Sequence, residues 1–183
     1  ETLFVSVAAG TTIGYFESVL GGDTPVVRAM PNTPAAISKG ITAIVGNAKA
    51  GSRSLDEAET LLSAVGEVVR LSEEAQIDAV TGVSGSGPAY VFHMIECMAA
   101  AGVAQGLPEE LAMQLAKATV AGAGALAMQA EEDPAQLRVN VTSPNGTTQA
   151  ALEVLMDEAE GFPPLLKRAV AAAADRSREL ANG

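Results

Sequence analysis

Ser143, Thr147 and Thr148 place three hydroxyls within six residues, with Pro144, Asn145 and Gly146 between them. Pro144 stops a helix arriving from residue 138 onward, because its ring cannot continue one, and Asn145-Gly146 offers two residues that tolerate positive φ. A helix starting at Thr147 would leave the N–H groups of Gly146, Thr147 and Thr148 without intrahelical partners, pointing outward beside two hydroxyls. Such a socket suits an anion. With no lysine or arginine inside it, it would hold a carboxylate through N–H groups and the helix dipole rather than through an ion pair. Taken alone, the stretch is more simply read as a corner between two helices with an ordinary cap.

No other cluster competes with it. Cys97 is the only cysteine, which excludes an internal disulfide, and no Cys/His spacing fits a metal site. Cys97 falls in an apolar helical run, 91–101, where a buried structural thiol is expected. His93, the only histidine, shares that run without a Ser/Asp constellation and is expected in the core or at its edge. The formal net charge of −11 has no basic block to offset it, which argues against nucleic acid or an anionic membrane as partner. The apolar opening, 3–9, lacks the basic start of a signal peptide, and Lys117 interrupts the longest run that could approach a membrane span. The expectation is a soluble, cytoplasmic protein acting on a small molecule.

The elements that must position these residues divide by type. Residues 3–9 form an uncharged, β-branched strand, and Thr11-Thr12 then caps a helix to residue 20 that Gly21-Gly22 closes. Strands follow at 25–30, 41–45 and 68–71, with an amphipathic helix at 55–65. Pro31-Asn32-Thr33-Pro34 forms neither helix nor central strand. Residues 1–72 therefore look α/β. From residue 73 the pattern is helical: 73–83, then a Gly82–Pro88 break, a helix from Pro88 to about 104, and others over 108–130, 133 to the socket, 147–157 and 165–180. The Gly82–Pro88 cluster lacks the Lys-Ser/Thr ending of a phosphate loop and reads instead as close helix approach. Gly122 and Gly124 cost about 1 kcal/mol each inside a helix, a cost tolerated where backbones must touch. Only 3% of the chain is aromatic, so its core must be built from Ala, Val and Leu, which suits closely packed helices. The expected fold is α/β over 1–72 followed by all-α over 73–183. The Gly-x-Gly-x-x-Gly turn of a dinucleotide fold is missing.

Five motifs in order resemble pyrroline-5-carboxylate reductase: Ser6-Val7-Ala8-Ala9-Gly10, Arg28-Ala29-Met30-Pro31-Asn32-Thr33-Pro34, Asp78-Ala79-Val80-Thr81-Gly82-x-Ser84-Gly85-Ser86-Gly87-Pro88-Ala89-Tyr90, Val141-Thr142-Ser143-Pro144-x-Gly146-Thr147-Thr148 and Arg176-Ser177-x-Glu179-Leu180. The resemblance covers essentially the whole chain, and the ordered set is specific where each piece alone is weak. It implies reduction of 1-pyrroline-5-carboxylate to L-proline by NADPH or NADH, in a protein whose Rossmann domain has an amino-terminal half that this sequence lacks. It also implies that Val7, Ala8 and Ala9 line the cofactor path, that Glu74 and Asn140 lie near the nicotinamide, and that Ser143, Gly146, Thr147 and Thr148 bind substrate, with Thr148 the side chain most closely engaged. Thr81 and Ser86 match family positions too, with helix-end capping as the alternative role. Asn145 stands where the family usually has glycine, and Ala118 where it often has glutamine. The resemblance further implies that 1–72 is the remainder of a dinucleotide-binding domain, a partial Rossmann-like sheet, and 73–183 a helical dimerisation and substrate-binding domain. It implies a homodimer through the carboxyl-terminal helices, with a pentamer of dimers among the family's assemblies.

Two rivals remain in view. A β-hydroxyacid dehydrogenase would carry a lysine on the helix after the glycine turn, and Pro88-Ala89-Tyr90-Val91-Phe92-His93 has none. The other rival is a helical dimerisation scaffold without catalysis, since most of a pyrophosphate site is missing.

Overall fold

In the computed structural model, which describes residues 2–182, the chain begins with strand β1 (Phe4–Ser6) and helix α1 (Ile13–Leu20). Thr12 caps α1, its hydroxyl accepting from the Tyr15 N–H at 3.2 Å. Gly21 ends the helix at φ 91°, a conformation open to glycine. Strands β2 (Val26–Met30), β3 (Gly40–Gly46) and β4 (Gly66–Arg70) complete a sheet of order β1-β2-β3-β4. β1 and β2 run parallel around α1, and β3 and β4 run parallel around helix α2 (Ser52–Leu62). The middle pair is antiparallel, Arg28 facing Val45.

β1 is shorter than the strand expected over 3–9, because residues 7–9 leave β2 and turn toward α1. The Pro31–Pro34 segment differs as well: Thr33–Ile37 forms a 3₁₀ turn with Pro34 in its first positions, where a missing N–H and fixed φ are tolerated.

Alternation along β2 and β3 buries both faces of the sheet. Val27, Ala29 and Ile44 pack with Ala50, Ala58 and Leu55 beneath α2. On the other face Ile13 and Val45 close around Ile77, with Met30 and Leu71 at the edge. Arg28 shares that second face by its position in the strand, yet only 5% of it is exposed.

Ile77 belongs to helix α3 (Gln76–Val80). Thr81–Gly85 continues it as a π-turn, and helix α4 (Gly87–Ala104) follows with Pro88 in its first turn. The glycine cluster therefore does not break the helix as its composition suggested. Glycine serves close approach instead: a Cβ on Gly82 would lie 2.8 Å from the Val170 carbonyl oxygen, and one on Gly85 2.6 Å from the Met30 methyl.

Helices α5 (Glu109–Gln129), α6 (Pro134–Asn140), α7 (Thr147–Leu155) and α8 (Phe162–Asn182) follow. Packing, as distinct from chain order, gathers the chain into two compact units. One comprises the sheet with residues up to 88 and from 168 onward; the other spans 89–167. The change of secondary-structure type after residue 72 is thus not where the packing divides, because Ile77 fills the sheet's second face and Ser177 of α8 donates to Asp78 Oδ1 at 2.6 Å.

In the second unit Ala99, Ala112 and Ala116 form a small alanine core with Ile95 and Met113 alongside. Most of α5 is exposed in the single chain, including Leu111, Leu115, Leu126 and Met128. Gly122 and Gly124 meet nothing within 4 Å, so the backbone contact anticipated for them is not made within the described residues. By length and composition α5 is long and apolar enough to cross a membrane, despite Lys117, because alanines and leucines fill most of its turns. Cys97 is exposed, not buried as expected, since the apolar run of α4 has only Ala99 fully covered. His93 is exposed too, its ring nitrogens 3.0 Å from Glu96 Oε2 and 3.6 Å from Cys97 Sγ.

Candidate functional site

The site residues anticipated from sequence fall into both units. In the second, α6 is capped by Asp133, whose carboxylate accepts from the Gln136 N–H at 2.8 Å, and ends at Asn140. Asn140 Oδ1 accepts from Gln136 Nε2 at 2.7 Å, which leaves the amide's N–H side turned to donate. Residues 141–146 then turn into α7.

That turn has a defined construction. Asn145 adopts the left-handed conformation at φ 58°, as its substitution for glycine allows. Gly146 caps α7 at φ −88°, so its smallness is not needed for positive φ. It is needed for space: a Cβ there would overlap Ser143 Oγ and lie 3.0 Å from the Ser143 carbonyl oxygen. The Gly146 N–H donates to that same carbonyl at 3.0 Å. The expected trio of outward N–H groups therefore shrinks to two, because Gly146 spends its own on closing the turn. Thr147 and Thr148 open α7 with no side-chain cap over their N–H groups, and their hydroxyls, like that of Ser143, make no hydrogen bond among the described residues. Thr147 and Ser143 are exposed and Thr148 is half-buried. Ser143, Thr147 and Thr148 thus stand together as free hydroxyls at a helix N-terminus, the chemistry of a carboxylate site.

In the sheet unit, Val7, Ala8 and Ala9 leave the carboxyl end of β1 as exposed main chain; the Ala8 N–H donates to Ser6 Oγ at 3.2 Å. Gly10 follows at φ 76°, where a Cβ would come within 3.3 Å of Leu180 in α8. Glu74 is more committed than expected. Its Oε1 accepts from Arg28 Nη1 at 2.7 Å and from the Ile13 N–H, the first of α1, at 2.8 Å. Arg28 is nearly buried and Glu74 about one third exposed, so one carboxylate neutralises a buried guanidinium and the α1 helix dipole together. Its other oxygen has no partner among the described residues.

These features decide how a dinucleotide would fit. Residues 7–9, exposed and with two alanine side chains, put little bulk at the carboxyl end of β1, the end at which open α/β sheets bind ligands. The α1 N-terminus, by contrast, already holds the Glu74 carboxylate on its first N–H, which disfavours a second anion there.

Thr81 donates its hydroxyl to the Ile77 carbonyl at 2.8 Å, and its own carbonyl accepts from the Ser86 N–H at 2.8 Å. Local bonding therefore accounts for Thr81. Residues that sequence reasoning passed over are Arg28, whose burial no periodicity announces, and Gln149, whose Oε1 accepts from the Asn145 N–H at 2.8 Å. A signal for Gln149 was present, since Gln or Glu three residues after a cap is a recurrent helix-start pattern.

Against known proteins, residues 74–180 match the family model for pyrroline-5-carboxylate reductase dimerisation. The pyrroline-5-carboxylate reductase of Pseudomonas aeruginosa is 48% identical over 181 residues, covering 99% of this chain and 66% of that protein. That of Synechocystis is 47% identical over 178 residues, 97% of this chain and 65% of its own length. The chain thus spans about two thirds of the length of these relatives. Among solved structures, a pyrroline-5-carboxylate reductase from Coxiella burnetii superposes with a TM-score of 0.93 at 40% identity, over 97% of this chain and 65% of that one. The Plasmodium falciparum pyrroline carboxylate reductase with NADP bound gives 0.87 at 30% identity, over 98% of this chain and 71% of that one.

Proposed function

The chain belongs to the pyrroline-5-carboxylate reductase family, and from that membership we propose that it serves the NADPH- or NADH-dependent reduction of 1-pyrroline-5-carboxylate to L-proline. The observation that carries the reading is the 143–148 turn: three unpartnered hydroxyls and two open N–H groups at the start of α7, without a fixed cation.

The chemistry asks little of acid–base groups. A protonated C=N carbon is already electrophilic; it needs its ring held in one orientation, and the ring carboxylate is the handle. Thr147 and Thr148 N–H groups receive that carboxylate at the helix N-terminus, with Ser143 completing the contact. The Thr148 hydroxyl, half-buried and without a partner among the described residues, hydrogen-bonds the substrate. Residues 143–148 themselves contain no lysine or arginine to repel the iminium charge. When bound, NADPH or NADH supplies the hydride that turns the C=N carbon into the ring CH₂ of proline. Within the sheet unit, exposed main chain at Val7, Ala8 and Ala9 and the free oxygen of Glu74 are the groups that would hold it.

The partner proposed is a second copy of the chain. Helix α5 supports this reading, with Leu111, Leu115, Leu126 and Met128 exposed and Gly122 and Gly124 untouched, within the segment that matches a dimerisation model. A pentamer of dimers and a cytoplasmic location complete the proposal.

The decisive experiment is NADPH oxidation by the 183-residue chain supplied with 1-pyrroline-5-carboxylate, alongside its mass in solution by light scattering. Turnover supports the reductase reading. A folded dimer with no turnover and no NADPH binding supports the scaffold reading for this chain, and a folded monomer removes the proposed partner.

A further inference from the structure

We propose that Gln149 is the positioning residue of the 143–148 turn and that its neutrality makes the site selective for a carboxylate. The inference rests on the carboxylate-site reading of that turn and adds the residue that sets its charge.

Gln149 is half-buried at the third position of α7. Its Oε1 accepts from the Asn145 N–H at 2.8 Å, and its Nε2 donates to Glu153 Oε1 at 3.2 Å, one turn along. A carboxylate can only accept, so Glu153 fixes which way the Gln149 amide faces: NH₂ toward Glu153, oxygen toward Asn145. Asn145 is the left-handed residue on which the turn pivots, and Gln149 holds its N–H. The Ser143 carbonyl holds the Gly146 N–H. With those two donors occupied, the N–H groups of Thr147 and Thr148 remain open at the start of α7.

Glutamate would make the same hydrogen bond, since both residues serve at the third helical position. The two differ by one charge. A carboxylate at residue 149 would lie on the same helix terminus that receives the substrate's carboxylate, cancelling the dipole and repelling the ligand. The sheet unit shows the other arrangement, for there Glu74 sits at the α1 N-terminus and accepts from its first N–H. One helix start is closed to anions by a built-in carboxylate, and the other is shaped by an amide and left open.

The test is a titration of the 183-residue chain with L-proline and with L-prolinamide, which lacks the carboxylate. It follows the backbone amide resonances of Thr147 and Thr148 and the exchange rate of the Asn145 amide. Q149E alone would face Glu153 as a like-charged pair one turn apart, so Q149E/E153Q is the principal variant and Q149L the companion. We expect Q149E/E153Q to keep the Asn145 amide protected and to bind L-proline roughly two- to fivefold more weakly at low ionic strength. The deficit should shrink in high salt, with prolinamide unchanged. Q149L should speed exchange at Asn145. Equal affinity for L-proline in the parent and Q149E/E153Q overturns the charge selection, and unchanged Asn145 exchange in Q149L overturns the positioning role. A parent chain in which Thr147 and Thr148 respond to neither ligand overturns the carboxylate-site reading, and the proposal with it.

Discussion

Removing Glu74 should harm the sheet unit far more than removing Arg28, although the two form one ion pair. The Arg28 side chain is 6% exposed and that of Glu74 31%. In Glu74→Ala a buried guanidinium loses its counter-charge, a change that costs about 3–5 kcal/mol for a fully buried pair. Water reaching a third of the Glu74 side chain discounts this to about 2–3 kcal/mol. Loss of the acceptor for the Ile13 N–H adds about 0.5–1 kcal/mol, as for other helix caps. In Arg28→Met an apolar side chain of similar length fills the space, and the remaining carboxylate still accepts from Ile13 and still meets water. That change should cost about 0–1 kcal/mol, since such replacements are often neutral. The assay is native-state amide exchange at Val27 and Ile44, both fully buried in the sheet. At 1.4 kcal/mol per decade, Glu74→Ala should speed their exchange roughly 60- to 700-fold and Arg28→Met less than about fivefold. Arg28→Met/Glu74→Ala should exchange more slowly than Glu74→Ala alone. If Glu74→Ala proves no worse than Arg28→Met, or the double variant is worse than either, the argument that an orphaned buried charge dominates is wrong.

Ser177→Ala removes the donor to Asp78 Oδ1, and with Ser177 only 7% exposed the loss should be about 1.5–3 kcal/mol, read as faster exchange along the second half of α8. Unaltered protection there would mean that Gly82 and Val170 hold the helix without it. Gly146→Ala should destabilise the α6–α7 turn by about 1–3 kcal/mol through overlap with Ser143, and Ser143→Ala should partly relieve it. A fully tolerated Gly146→Ala would show that the turn has slack. Thr148→Val keeps volume and loses a hydroxyl, so weaker use of 1-pyrroline-5-carboxylate by the complete enzyme is expected, and unchanged kinetics would remove Thr148 from the site. Asp157 accepts from the N–H groups of Glu160 and Ala159 at 2.8 Å each, which hold its carboxyl below the usual carboxylate range. Because the folded value is the lower one, its stabilisation is present above the unfolded value and is lost as pH falls through the folded value. The amide shifts of Ala159 and Glu160 should therefore titrate below the ordinary range of an aspartate, and in Asp157→Asn that transition should vanish.

The sequence by itself determined the elements and the family. Capping and stopping residues placed α1, α5, α6 and α7 within a few residues, because Thr12, Gly21, Pro108, Asp133 and Pro144 act on groups within a few positions of themselves and need no distant partner. The 143–148 turn was legible for the same reason, and the family was legible through the resemblance that the ordered motifs carry as a set. What needed the tertiary structure was every property set by residues far apart in the chain. The Arg28–Glu74–Ile13 junction joins positions 46 and 61 residues apart, and Ser177 meets Asp78 across 99. No local period records such a pairing. The division into compact units followed contacts rather than the switch from strand to helix, and Cys97 lay exposed because an apolar run says only that a helix seeks cover. Even within the turn, which of the three N–H groups is spent depended on where the Ser143 carbonyl points. Hydrogen-bond partnership is settled by directions in space, and residue spacing along the chain does not carry them.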